Sequence, residues 1–199
     1  MGGIDAAAQE MLVGAHGCLA LCAAFYLVWW WLFFNPRLAK PKGARYAFGV
    51  ACIVAAAILG VAGVALAASA LGSLSAVSTG APAWAFIIGA VVGYLLLAVF
   101  TVKVFARPVT TELILFVAWA SLEFAVISTL FGAGAWLIPA TFALVALVAV
   151  VLAASLVCYV LYYRLDPMPS FIDGAIPLVA VGITALVMVC AITVCGAAA

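Results

Sequence analysis

Two carboxylates eleven residues apart are the clearest chemical feature of this 199-residue chain. Glu112 and Glu123 lie in one apolar run, and eleven steps of 100° on a helix return to within about 20° of the same face. At 1.5 Å per residue the two acids stack roughly 16 Å apart along that face, with Phe116 and Trp119 between them. Such a stripe is what a lined conduit, or a proton or cation relay, requires. An ionisable group in hydrocarbon costs about 2.5–3.5 kcal/mol on insertion scales, so each one needs a reason. Glu112 follows Pro108 closely, where a carboxylate suits a helix N-terminus and can reach Lys103. Glu123, within Trp119-Ala-Ser-Leu-Glu-Phe-Ala, is too deep to snorkel. It is either a protonated acid bonded to a neighbouring helix or a group on a transport path. The expectation carried forward is that Glu123 faces a polar cavity.

The sole histidine, His16, falls about one turn inside the first apolar run. An imidazole there serves as an interfacial hydrogen-bonding group or as a pH-responsive one. It cannot by itself hold a haem through two histidines, and the six cysteines do not complete a zinc set with it. Cys18, Cys22, Cys52, Cys158, Cys190 and Cys195 contain no C-x-x-C pair. They read as small packing residues, with a bridge between Cys18 or Cys22 and Cys190 or Cys195 as the alternative. No phosphate-binding loop, nucleophile elbow or H-E-x-x-H occurs, so neither an enzyme nor a cofactor or metal is expected. Asp173, just before Gly174, reads as a helix cap. Lys103 reads as a snorkelling cation.

These groups must be held by elements built for lipid. The chain is 71% hydrophobic and 7% charged, with a mean hydropathy of +1.47, against about 25% charged residues in a soluble domain. A chain so apolar cannot cover itself in water, and its partner is the bilayer, with no nucleic-acid surface. A single all-α membrane domain over residues 1–199 follows. Its six transmembrane helices are placed at about 11–34, 46–72, 83–106, 109–131, 136–163 and 173–196. Turn residues separate them at Asn35-Pro36, Gly80-Ala81-Pro82, Arg107-Pro108, Gly132-Ala133-Gly134 and Asp166-Pro167. The segment Met1 to Glu10 carries Asp5 and Glu10 but no Lys or Arg, so the first run reads as a permanent span and not a signal peptide.

All seven basic residues lie at the ends of odd-numbered spans or in the loops after them: Arg37, Lys40, Lys42, Arg45, Lys103, Arg107 and Arg164. The positive-inside bias then places loops 35–45, 107–108 and 164–172 in the cytoplasm and both termini outside, in a plasma (inner) membrane. Trp84 and Trp136 would open spans three and five at the outer interface, and Trp29-Trp30-Trp31 would mark the inner one.

Three segments share an aromatic-rich span end, a Pro turn and a second span. Their prolines are Pro36, Pro108 and Pro167, which predicts three tandem helical hairpins around an axis. Gly89 and Gly93 form a G-x-x-x-G on span three, a face for close helix contact within the chain or between protomers.

Three hairpins, six spans and this length resemble the AmiS/UreI family of urea and short-amide channels. The residues that carry the likeness are Phe171-Ile-Asp-Gly-Ala-Ile-Pro-Leu and Leu115-Phe-Val-Ala; the chain departs from the family in having Asn35-Pro36 where the family has Asn-Gly. The resemblance implies a hexamer with one pore per protomer, and no site residue is carried over from it. The leading functional expectation is a channel or transporter for a small solute, cation or proton. It would form a homo-oligomer, with span four lining the path and Glu123, Glu112, Trp119 and His16 as path residues. The alternative is a non-transporting structural or assembly subunit of a larger membrane complex.

Overall fold

Long runs of Ala, Val, Leu and Ile with few breakers can satisfy their backbone in lipid only as helices. The computed structural model describes residues 4–75, 78–105 and 111–197 and is helical throughout those apolar runs. Its helices are α1 (Ala6–Phe34), α2 (Ala44–Leu74), α3 (Ala83–Val104), α4 (Thr111–Gly132), α5 (Ile138–Leu161) and α6 (Pro167–Ala197), with a 3₁₀ turn at Tyr162–Arg164. All six are long and apolar enough to cross a membrane. Their apolar residues run round the whole circumference, as expected of a helix whose outer face meets lipid.

The largest boundary difference is at α6, which begins at Pro167 and not at 173. Proline at a first helical position gives up no hydrogen bond and has its φ already set. Asp173 is therefore inside the helix and is not its cap. The expected Arg107-Pro108 turn lies outside the described residues.

Consecutive helices pack as α1 on α2, α3 on α4 and α5 on α6, and further contacts join α1 to α6, α4 to α5 and α2 to α4. Together these close a ring of α4, α5, α6, α1 and α2, while α3 leans on α4 from outside. The three hairpins are thus unequal: the first is tightly joined and α3 is the least covered helix. Its Ile87, Ile88, Val91, Leu95, Leu96 and Val99 are all exposed.

The two ends of the ring differ in kind. Toward the end that carries the termini, Leu12, Ala70, Leu74, Val126, Leu130, Trp136, Val148, Met188 and Ile192 interlock in one buried core, with a contribution from every ring helix. Trp84 is 63% exposed, as an interfacial residue would be, whereas Trp136 is only 6% exposed because it folds into this core. Two loops are stitched together above it. Thr79 donates to the Gly132 carbonyl from both its N–H and its hydroxyl, each at 3.1 Å. The Ser78 hydroxyl donates to the Thr129 carbonyl at 2.9 Å. Gly80 and Gly132 pass so closely that a Cβ on either would overlap backbone.

The opposite end, which carries the basic residues, is aromatic. Trp30 stacks on Phe34 and Phe171, and its indole N–H donates to the Phe171 carbonyl at 3.0 Å. The α1–α2 turn is set by Asn35, whose Oδ1 accepts from the Arg37 N–H at 3.0 Å, and by Gly43 at φ +55°.

Candidate functional site

α4 is the most enclosed of the six helices. Leu113, Val117, Ala120, Glu123, Val126, Ile127 and Leu130 all point inward from it. This inward set includes a charged residue type, and α1 supplies the group that answers it. His16 and Glu123 are both 0% exposed, and His16 Nε2 lies 3.1 Å from Glu123 Oε2. They meet across the centre of the ring, although α1 and α4 do not pack closely along their backbones.

The proton count of this contact follows from its second hydrogen bond. His16 Nδ1 is 2.7 Å from the Leu12 carbonyl oxygen, and a carbonyl only accepts, so Nδ1 carries hydrogen and donates. Nε2 is then either an acceptor from a neutral Glu123 or, on an imidazolium, a donor to its carboxylate. Both arrangements place one proton between the two side chains and leave the pair with no net charge. In a low-dielectric interior that is the arrangement with the smallest desolvation penalty.

The pair is not fully satisfied. Glu123 Oε1 has no hydrogen-bond partner among the described residues, nor has the indole N–H of Trp119. One is an acceptor and the other a donor, four residues apart and so on one helical face. The Glu112 carboxylate also has an unpartnered oxygen, Oε2. Glu112 is in the first turn of α4, as expected for a carboxylate at a helix N-terminus, and Tyr26 of α1 lies within electrostatic reach of it. The expected pairing with Lys103 is not made among the described residues. Of the four sequence-selected residues, the structure brings His16 and Glu123 together; Trp119 lies one turn from Glu123 on α4, and Glu112 stands apart in its first turn.

Leu12 on α1 and Ala120 and Val126 on α4, close in sequence to the pair, belong to the buried apolar core. A cleft of about 270 Å³ lies between α3, α4 and α5. Its walls include Phe86, Gly89, Gly93, Val117, Phe124 and Leu152. The two glycines thus line this cleft, with nothing near enough to touch an added Cβ, and make no tight helix contact within the described chain. Cys18, Cys22, Cys52, Cys158 and Cys190 are free thiols; Cys195 lies outside the described side chains. No cluster of three or more His, Cys, Asp or Glu able to hold a metal occurs among the described residues.

Sequence reasoning treated His16 and Glu123 separately and missed their contact over 107 positions. The available signal was that ionisable groups within apolar spans tend to neutralise one another. No family model, curated protein or solved structure matches the chain.

Proposed function

We propose that this protein is a small multi-pass membrane channel or transporter, for a small solute or a monovalent cation or proton, in which the α1–α4 seam carries the path. The observation behind this reading is the His16–Glu123 pair with its free Oε1. A buried polar pair is commonly no better for stability than a well-packed apolar pair of the same volume. A seam that served only to hold helices together would gain nothing from an unpartnered carboxyl oxygen and, one turn away, an unpartnered indole N–H. A species that both donates and accepts hydrogen bonds would complete both groups while passing. The pair can hand over its single proton without any step in which two buried charges of one sign face each other.

In this reading the basic residues hold loops 35–45, 107–108 and 164–172 in the cytoplasm. The aromatic end is then the inner mouth, and the stitched Thr79–Gly132 loops close the outer one. The hairpin order keeps the AmiS/UreI likeness within the proposal, and with it a homo-oligomer. A second reading, an assembly subunit in a larger complex, is supported by the wide uncovered face of α3, which an unlike subunit could cover.

The test is flux in proteoliposomes loaded with a pH indicator, a cation indicator or urea, comparing wild type with Glu123→Gln. Loss of at least tenfold in flux, or a displaced pH profile, supports transport through the seam. Equal flux and an equal pH profile in the variant would end the proposal. Absence of flux in both, with unlike subunits co-purifying, would favour the assembly reading.

A further inference from the structure

The turn between α1 and α2 gathers positive charge without balancing it. Arg37, Lys40, Lys42 and Arg45 fall within nine residues, and no Asp or Glu occurs anywhere between Glu10 and Glu112. All four basic residues are exposed. Among the described residues, none of them has a carboxylate within 4.0 Å.

Four like charges in a short turn repel one another, so the turn needs a frame. Asn35 supplies part of it: its Oδ1 accepts from the Arg37 N–H at 3.0 Å, and its carbonyl accepts from the Leu38 N–H at 3.1 Å. Beneath the turn the Phe33 ring lies so close to Gly49 that a Cβ there would overlap it. The same ring has its centroid 5.6 Å from that of Tyr46, which holds the end of α1 against the start of α2. Only residues 35–43 join the two helices, and such a stretch doubled back reaches no more than about 15 Å. The cations therefore stay close to the helix ends.

Exposed rings mark the depth of those ends. Trp31 and Phe34 on α1 and Tyr46 and Phe48 on α2 are all exposed, within two turns of the charges. Aromatic side chains of this kind settle at the level of the lipid headgroups, which brings the cations alongside the lipid phosphates. A soluble acidic protein or a nucleic acid would match the charge but not the rings that flank it. We infer that the 35–45 turn is a docking surface for anionic lipid headgroups, held by Arg37, Lys40, Lys42 and Arg45. Each Lys or Arg beside an anionic leaflet adds to the attraction, and a guanidinium can grip two phosphate oxygens at once. The surface is independent of the transport reading, because a structural protein can hold lipid equally well. It is also distinct from the effect of the same charges on orientation, since headgroup binding is a property of the folded protein.

The experiment uses full-length protein in vesicles of phosphatidylcholine and phosphatidylglycerol, with one lipid or the other brominated in its acyl chains to quench tryptophan. Trp29, Trp30 and Trp31 lie just below the turn, so quenching reports the lipid there. Brominated phosphatidylglycerol is expected to reach half-maximal quenching at a mole fraction about threefold lower than brominated phosphatidylcholine. Sodium chloride at about 0.5 M is expected to weaken that preference by screening. Replacing all four cations by Gln is expected to abolish it. Lys40→Gln with Lys42→Gln, which keeps Arg37 and Arg45 for insertion, is expected to reduce it by about half and decides the matter if the fourfold variant fails to insert. Inorganic phosphate at matched ionic strength is expected to leave it unchanged. Equal quenching by the two lipids in wild type would overturn the inference. So would a preference that survives the fourfold replacement or is untouched in the double variant. A preference removed by inorganic phosphate would overturn it as well, by assigning the surface to a free phosphate group.

Discussion

The chain buries two inward-facing acids in two different ways. Glu123, near the middle of α4, is answered by a side chain from another helix that shares a proton with it. Asp173, near the basic end of α6, keeps one carboxyl oxygen without a partner among the described residues. The first site is charge-balanced within the pair, keeps Oε1 without a partner, and sits beside a packed apolar core. The second lies at the basic end of the bundle, beside the Trp30 ring that abuts Gly174. Depth explains the contrast. At the centre of a membrane a carboxylate must be neutralised within the protein, whereas nearer the interface water can reach it.

The comparison is broken most forcefully at the central pair. Removing one partner, as in His16→Ala, leaves a buried polar group without its complement and is expected to destabilise the protein by about 3–5 kcal/mol. Thermal unfolding in detergent reads this directly. Replacing both, His16→Leu with Glu123→Leu, is expected to recover most of that loss, because an apolar pair needs no desolvation. If the double variant were no more stable than His16→Ala, the pair would be valuable for stability beyond its charge balance. A folded double variant without flux would separate stability from transport.

The next largest effect is expected at the loops above the apolar core. Gly132→Ala places a methyl group into the Gly80 backbone and is expected to lower stability by about 1–3 kcal/mol. Gly174→Ala, which presses on Trp30 at the other end, falls at the lower part of the same range, since a side chain yields more readily than backbone. Tryptophan emission should shift in the second variant, while a result with Gly174→Ala costlier than Gly132→Ala would reverse the ranking of the two ends.

The smallest effect is expected at α3. Gly93 faces open space in the cleft, so Gly93→Ala is expected to be neutral or to stabilise by up to about 1 kcal/mol through helix propensity. A loss of 2 kcal/mol or more on the unfolding curve would mean that α3 closes on α4 more tightly than the cleft implies.

How much of this was readable beforehand differs between fold and site. Six apolar runs divided by Pro and Gly turns specify six helices almost on their own, because lipid leaves the backbone no other way to satisfy its polar groups. The end of α1 and the start of α3 fall where Asn35-Pro36 and Pro82 put them. The start of α6 was misplaced because Pro167 was read as a terminator when it is the first residue of the helix. Asp173 was therefore read as a cap when it is a buried interior residue. Trp136 was assigned to the interface from its place in the order, but it is buried as part of the apolar core that α1, α2, α4, α5 and α6 share.

What the sequence by itself determined is the number, length and apolar character of the helices, and the single face shared by Glu112, Trp119 and Glu123. These are consequences of local periodicity and of the cost of polar groups in hydrocarbon. The tertiary structure alone decided that α4 lies inside the ring and α3 outside it, and that His16 reaches Glu123. It also decided that the glycines of α3 border a cleft. Helices that are apolar all round carry no directional signal of which face turns inward, so the partners are chosen by packing across the bundle.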